Sequence, residues 1–285
     1  SLTVNPNPTI TTSGTVTAVC LSASQQNASL AYSASTFSPN SYSIQWTGLA
    51  NQATTNFAFA AGGGTINTIV VPGNTAAGTY NGVMTLLTAN GCSVNQNISL
   101  TVNPNPTITT SGTVTAVCSS SSQQNASLVY SAATNSPINY SIQWTGLANQ
   151  GTTNFVFVAG GGTINNIIVP ANTAAGTYNG VMTLLTANGC SFNQNISLTV
   201  NTSPTINTNG VFNSVCQSSL AQTTSLNYSS TTGSPINYAI DWIALTDQGA
   251  TPFPFSSGSG SIINVNIPAN AAAGTYNGVM TISTA

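Results

Sequence analysis

Apolar and polar positions alternate along short stretches of the chain, which is the pattern of half-buried β-strands. The clearest stretch, Tyr42-Ser43-Ile44-Gln45-Trp46, places Tyr, Ile and Trp on one face of a strand. Residues 66–71 form an apolar run that Pro72 ends. Further strands are predicted at residues 9–12, 15–20, 30–32, 80–87 and 94–102. Because no stretch has helical periodicity, the sequence predicts an all-β fold.

The same pattern recurs at a spacing of 98 residues, and residues 1–98 match residues 99–196 at 84 of 98 positions. Seven or eight short strands in each unit are typical of an immunoglobulin-like β-sandwich. We therefore predict tandem immunoglobulin-like repeats in an extended array. The boundaries are 1–5 for the end of a preceding repeat, 6–103 for repeat 1, 104–201 for repeat 2 and 202–285 for repeat 3, which lacks its last strand.

The joints between repeats are short and contain proline, as in Asn103-Pro104-Asn105-Pro106. A residue before proline favours an extended backbone, so these joints are expected to be fairly stiff. Both ends of the chain fall inside a repeat, and a segment of a longer array is the expectation.

Charge is nearly absent, since the chain has no Lys, Arg or His and only two acidic residues, Asp241 and Asp247. This composition argues against an enzyme, because the usual proton-transfer and nucleophile-activating groups are missing. It also argues against a nucleic acid partner, since nothing neutralises phosphates. No apolar run approaches the roughly 18 residues of a membrane helix. We expect no catalytic residues, no cofactor and no direct membrane insertion.

The two acids stand where the other repeats carry amides: Asp241 replaces Gln45 and Asp247 replaces Asn51. They are therefore expected to be ordinary substitutions in one copy. Calcium would suit an extracellular β-repeat, but calcium sites usually need several carboxylate oxygens, and repeats 1 and 2 have none. No metal site is predicted.

Five cysteines follow the repeat, and each complete copy has two. We predict structural disulfides within repeats, Cys20 with Cys92 and Cys118 with Cys190, with the partner of Cys216 outside the segment. A bond between neighbouring repeats, such as Cys92 to Cys118, is the alternative, but each sandwich needs internal closure. Free buried thiols or a weak metal pair are further alternatives. Disulfides would place the protein in an oxidising compartment outside the cytoplasm.

Recurrent aromatic residues are the predicted core markers: Trp46, Trp144, Trp242, Tyr80, Tyr178 and Tyr276. Phe57 and Phe59 also recur, and their i, i+2 spacing on a strand favours packing in the core. Their alternative role is a platform on which sugar rings stack.

Several motifs resemble the immunoglobulin-like or PKD-like repeats of giant surface proteins from Bacteroidota. They are Ile44-Gln45-Trp46, Ile69-Val70-Val71-Pro72, Ala76-Ala77-Gly78-Thr79-Tyr80-Asn81-Gly82 and Asn90-Gly91-Cys92. That group includes large gliding-motility adhesins exported by the type IX secretion system. The resemblance implies a long filamentous stalk at the cell surface and a role in adhesion or gliding, and it implies no particular binding residue.

Three functional hypotheses follow. The first is a structural spacer in a secreted, filamentous cell-surface adhesin, with neighbouring repeats of the same chain as its partners. The second is a glycan-binding module that uses exposed aromatic and amide groups. The third is a subunit that polymerises laterally, with other filament chains, into a surface sheath.

Overall fold

The computed structural model describes residues 1–284, which form three consecutive β-sandwiches, each with its own apolar core. The strands of the first sandwich are β1 (Thr9–Thr11), β2 (Val19–Cys20), β3 (Gln26–Tyr32), β4 (Ala34–Thr36), β5 (Ser41–Trp46), β6 (Gln52–Asn56), β7 (Gly64–Val71), β8 (Gly78–Leu87) and β9 (Ser93–Asn103).

The second sandwich repeats this order with β10 (Thr107–Thr109), β11 (Thr113–Cys118), β12 (Gln124–Tyr130), β13 (Ala132–Thr134), β14 (Pro137–Trp144), β15 (Gln150–Asn154), β16 (Gly162–Val169), β17 (Gly176–Thr186) and β18 (Ser191–Asn201). The third contains β19 (Thr205–Phe212), β20 (Gln222–Thr232), β21 (Asn237–Trp242), β22 (Gln248–Pro252), β23 (Gly260–Ile267) and β24 (Gly278–Ser283). No helix occurs within residues 1–284, and the all-β prediction is confirmed.

Each complete sandwich pairs a five-stranded sheet with a smaller facing layer. In the first, the large sheet has the order β2-β9-β8-β5-β6, and the facing layer holds the pairs β3-β7 and β1-β4. All pairings are antiparallel except that of β2 with β9, which is parallel. This arrangement, with the first strand divided between the two sheets, is that of an immunoglobulin-like domain.

The crossing from β1 to β2 takes place at Gly14, which has a φ of +75°. A Cβ atom built at this position would lie 2.5 Å from the backbone oxygen of Asn97 in β9. Both the backbone conformation and the close approach favour glycine. The crossing moves the N-terminal strand from the small layer to the edge of the large sheet.

The core fills the space between the two layers with the inward positions of the alternating strands. Tyr42, Ile44 and Trp46 of β5 are all buried, as their i, i+2, i+4 spacing predicts. Strand β9 adds Ile98, Leu100 and Val102, which are at most 4% exposed. Burying one such aliphatic side chain contributes about 1.5–3 kcal/mol. The last strand of a repeat is therefore a large part of its stability.

Candidate functional site

Tyr80 ties the start of β8 to the turn that precedes it. Its hydroxyl donates a hydrogen bond of 2.8 Å to the backbone oxygen of Ala76, while its half-buried ring packs against the core. This is the tyrosine corner of immunoglobulin-like sandwiches. The equivalent bonds join Tyr178 to Ala174 and Tyr276 to Ala272.

Trp46 lies against the backbone of Gly82 on the neighbouring strand, β8. A Cβ atom at Gly82 would be 2.5 Å from Cε3 of the indole, so only glycine leaves room for the ring. Gly82, the last residue of the Gly-Thr-Tyr-Asn-Gly motif, thus leaves the space that the tryptophan ring occupies. The same contact recurs between Trp144 and Gly180.

The backbone N–H of Trp46 donates to Oδ1 of Asn51 at 2.9 Å. In the third sandwich, the N–H of Trp242 donates to Oδ1 of Asp247 at the same distance. The carboxylate keeps the acceptor that the amide provided, which explains why this exchange is tolerated. Asp247 therefore accepts a structural hydrogen bond, and Asp241 is an exposed surface residue.

Gln52 of β6 bridges the two layers of the sandwich. Its Oε1 accepts from the backbone N–H of Val70 at 2.9 Å, and its Nε2 donates to the backbone oxygen of Thr68 at 2.8 Å. Nε2 also donates to the hydroxyl of Tyr42 at 3.0 Å. The side-chain amide therefore satisfies backbone groups on the edge of β7, much as another strand would.

Burial raises the pKa of the Tyr42 hydroxyl, and its hydrogen bonds with Thr68 and Gln52 oppose the shift. The pKa values of Tyr140 and Tyr238 are raised for the same reason. Gln150 and Gln248 repeat the bridge of Gln52. The sequence analysis missed these glutamines, and their recurrence at the repeat spacing is the signal that could have found them.

The paired phenylalanines pack inward. Phe57 and Phe59 follow β6 rather than lying on a strand, and their ring centroids are 4.8 Å apart. Tyr32 and Tyr42 complete the cluster, with edge-on or tilted contacts. Because these rings are half-buried or buried and contact one another, they do not form a flat exposed platform for a sugar.

The cysteines contradict the predicted pairing. Cys20 forms a disulfide with Cys190, 170 residues along the chain, with Cα atoms 5.4 Å apart. The bond therefore joins the first sandwich to the second, and the prediction of Cys20–Cys92 and Cys118–Cys190 bonds is wrong. Among the described residues, Cys92, Cys118 and Cys216 are unpaired.

Strand direction gives the physical reason for this correction. Strands β2 and β9 are parallel, with Cys20 opposite Asn103 at the far end of β9. Cys92 precedes the first residue of β9, so the two cysteines lie at opposite ends of an 11-residue strand. That separates them by about 35 Å, whereas a disulfide needs Cα atoms within about 7 Å.

Backbone hydrogen bonds surround the disulfide at the junction. The N–H of Leu21 donates to the oxygen of Asn103 at 2.9 Å, and Nδ2 of Asn105 donates to the oxygen of Leu21 at 2.9 Å. At the next junction, Ser203 takes the place of Asn105 and donates from Oγ to the oxygen of Ser119 at 2.5 Å. The linker is thus fastened to the end of the sandwich that precedes it.

No helix of the described residues is long and apolar enough to cross a membrane. Residues 1–284 also contain no group of three or more His, Cys, Asp or Glu side chains that could hold a metal ion.

Solved structures with a similar arrangement are tandem immunoglobulin-like or fibronectin-like domains. A variant fragment of three titin immunoglobulin domains is 11% identical, with coverage of 98% of both chains and a TM-score of 0.38. The FN1-FN3 domains of chicken CNTN1 are 11% identical, covering 97% of this chain and 98% of theirs with a TM-score of 0.33.

A Ca²⁺-stabilized adhesin that helps an Antarctic bacterium bind ice is 15% identical, covering 99% of this chain and 74% of its own with a TM-score of 0.36. These low identities and TM-scores say nothing about function. No family model matches the chain. No curated protein matches it either.

Proposed function

We propose that this segment is a structural spacer in the stalk of a secreted, filamentous cell-surface adhesin. The observation that carries the proposal is the disulfide across the first junction, which fastens two consecutive sandwiches together. A covalent bond between domains keeps them joined under tension, which a load-bearing stalk requires. Disulfides persist outside the cytoplasm, which supports an extracellular location.

The composition fits the same role. With two carboxylates and no cationic side chains in the sequence, salt and pH have little to act on between pH 5 and 8. The conspicuous aromatic residues are engaged in the core, the tyrosine corner and the phenylalanine cluster. The polar surface is left to Ser, Thr, Asn and Gln, which keep an array hydrated without charge.

The resemblance to Bacteroidota surface repeats supports a finer proposal. The stalk holds an adhesive tip away from the cell for surface attachment or gliding, and the protein leaves the cell through the type IX secretion system. Each sandwich advances the stalk by roughly 35–45 Å, since its longest strands have eight to eleven residues and the turns and linker add to their length.

Changing the number of repeats in the producing cell tests the proposal. Deleting residues 99–196, or copying them once, should shorten or lengthen the surface filament in electron micrographs by about 40 Å. Attachment should persist in both cases. The isolated 285-residue chain should neither bind a glycan array nor compete with cells for attachment. Specific glycan binding or competition by the isolated chain would favour a binding module, and lateral sheets of the chain would favour a sheath.

A further inference from the structure

The three cysteines that are unpaired among the described residues are counterparts of the two that are joined: Cys118 and Cys216 correspond to Cys20, and Cys92 corresponds to Cys190. Cys118 ends β11 opposite Asn201, in the same parallel register that places Cys20 opposite Asn103. The backbone N–H that follows each cysteine donates to the paired asparagine oxygen, at 2.8 Å for Ser119 and at 2.9 Å for Leu21. Cys118 is thus placed for a partner in the following sandwich.

Cys92 occupies the other half of a junction. Its Sγ lies 3.7 Å from the backbone oxygen of Asn5. Asn5 is the counterpart of Asn103, which lies opposite Cys20 in the pairing of β2 with β9. In a preceding sandwich, the counterpart of Cys20 would lie opposite Asn5. Cys92 therefore lies beside the place that this cysteine would occupy.

We infer that consecutive repeats of this type are joined at every junction by the bond seen between Cys20 and Cys190. The resulting array has two continuous covalent paths that bypass most of each sandwich, so the stalk does not lengthen when a sandwich unfolds. This inference rests on the proposed function for its biological meaning, but the covalent pattern can be tested separately.

One path follows the segment from Cys92 to Cys118. It runs along β9, through the linker, and along β10 and β11, so it crosses the first and second sandwiches in extended strands. The other path passes along the first strands of the first sandwich to Cys20, through the disulfide, and along β18 of the second. The two paths exchange roles from one sandwich to the next. The path that follows the last strand of one sandwich follows the first strands of the next, and the other path does the reverse.

The two paths lie side by side within the second sandwich, where β11 pairs with β18 in parallel. Tension applied along the array would be carried by both strands side by side, through covalent bonds at each end of the sandwich. Residues 21–91 of the first sandwich lie between Cys20 and Cys92, outside both paths. Strands β3 to β8 would therefore carry no sustained tension, even though they supply most of the core.

The covalent paths are already close to their full length in the folded protein. The segment from residue 92 to residue 118 reaches about 90 Å when fully extended, and the two sandwiches it crosses advance by roughly 70–90 Å. Without disulfides, one unfolded repeat would reach about 350 Å. Oxidation would thus decide between a nearly inextensible stalk and one that lengthens severalfold.

Each bond forms by thiol–disulfide exchange. The two cysteine thiols give two electrons and two protons to a disulfide oxidant, which leaves as a dithiol while the new sulfur–sulfur bond forms. A protein disulfide of an oxidising, extracytoplasmic compartment belongs to this class of oxidant.

Counting thiols in the denatured, unreduced chain is the first test. The inference leaves Cys92, Cys118 and Cys216 as three thiols, whereas pairing within sandwiches would leave one. A chain with residues 99–196 copied once in tandem has two more cysteines, and it should still show three thiols because Cys118 gains a partner. Peptide mapping should then find Cys118 joined to the copied Cys190. One thiol, or five in the longer chain, would overturn the inference.

Pulling single molecules of the 285-residue chain by its two ends is the second test. With the Cys20–Cys190 bond intact, only residues 1–20 and 190–285 extend, giving a final length of about 400 Å. A reductant, or the substitution Cys20→Ser, should raise that length to about 1,000 Å. Cys92→Ser is the matched control and should leave the length at about 400 Å.

An unreduced chain that extends to about 1,000 Å, or a length change caused by Cys92→Ser, would contradict the inference. The repeat-deletion experiment in cells addresses the stalk function separately. A failure there would leave the disulfide pattern standing, and a failure of the thiol count would leave the stalk function standing.

Discussion

The second sandwich has nine strands and the described part of the third has six, and the two differ most at the edge where β18 lies. The second ends with β18, and residues 202–284 of the third contain no equivalent of that strand. Seventeen residues form the buried core of the second sandwich and seven form that of the third. Met182 is fully buried in the second sandwich, but its counterpart Met280 is only half-buried. The last strand therefore covers the strand beside it and completes the core.

The first strand also takes a different course in the two sandwiches. In the second sandwich, β10 pairs with β13 and the chain then crosses to pair β11 with β18. In the third, β19 runs without crossing and Phe212 pairs with Leu226 of β20. Gly210 keeps a positive φ of 72°, but no atom lies near its missing Cβ. Its counterparts Gly14 and Gly112 lie against Asn97 and Asn195 of the last strand, which has no equivalent among the described residues of the third sandwich.

Supplying that strand should have the largest effect. A copy of residues 188–201 appended after Ala285 should bury three more aliphatic side chains and stabilise the third sandwich by about 5 kcal/mol. Calorimetry should show its transition moving to higher temperature, with the other two unchanged. The appended copy and its control both carry Ser in place of the added cysteine, so that no new disulfide forms, and the control also carries Ser at the three aliphatic positions. An equal shift with the control would show that the comparison rests on something other than the core.

Replacing the glycine that packs against the tryptophan ring should cost more stability in the first sandwich than in the third. Gly82→Ala should cost about 2–4 kcal/mol, because the new methyl group would lie 2.5 Å from the Trp46 ring. Gly278→Ala should cost less, since its Cβ would lie 2.8 Å from both the Trp242 ring and the Asp241 oxygen, and no described strand holds the other edge of β24 in place. Chemical denaturation of the whole chain gives both values. The cost of Gly82→Ala should shrink in a Trp46→Leu background, and an unchanged cost would exclude the ring as its cause.

These cases show what the sequence could and could not predict. Alternation in β5 was readable because one face of that strand is apolar and buried. Strand β6 was missed because its residues Gln52–Asn56, apart from Ala53, are polar, and Gln52 makes hydrogen bonds instead of packing in the core. The disulfide was mispaired because its geometry depends on β2 running parallel to β9, and on a second sandwich whose position no local pattern encodes.

The glutamine bridge should cost the same in every sandwich, because it lies on the edge away from the last strand. Gln52→Ala and Gln248→Ala should each cost about 2 kcal/mol, since each leaves backbone groups without a partner. Denaturation of the two variants measures this. Gln52→Glu keeps an acceptor for Val70 but loses the Nε2 donor bonds to Tyr42, Thr55 and Thr68, so it should not restore stability. A cost confined to the first sandwich would mean that the bridge depends on the last strand.

Alkaline pH should weaken all three sandwiches together. The raised pKa of Tyr42, Tyr140 and Tyr238 means that the folded state holds these protons more tightly than the unfolded chain. Their contribution is fully present below the unfolded pKa of 10.0 and is lost as pH rises beyond it. Calorimetry between pH 5 and 11 should show a flat region to about pH 8 and a decline above pH 10. A loss of stability between pH 5 and 8 would contradict this assignment.

The smallest effect concerns the acceptor for the tryptophan backbone, where the third sandwich carries an acid and the others an amide. Asp247→Asn and Asn51→Asp should each change stability by less than about 0.5 kcal/mol, because either side chain presents Oδ1 to the N–H of Trp242 or Trp46. Asp247→Ala should cost about 1 kcal/mol, because it removes the acceptor. Calorimetric scans of the whole chain at pH 7 compare the three variants. If Asp247→Asn cost as much as Asp247→Ala, the negative charge rather than the shared acceptor would be what the third sandwich needs.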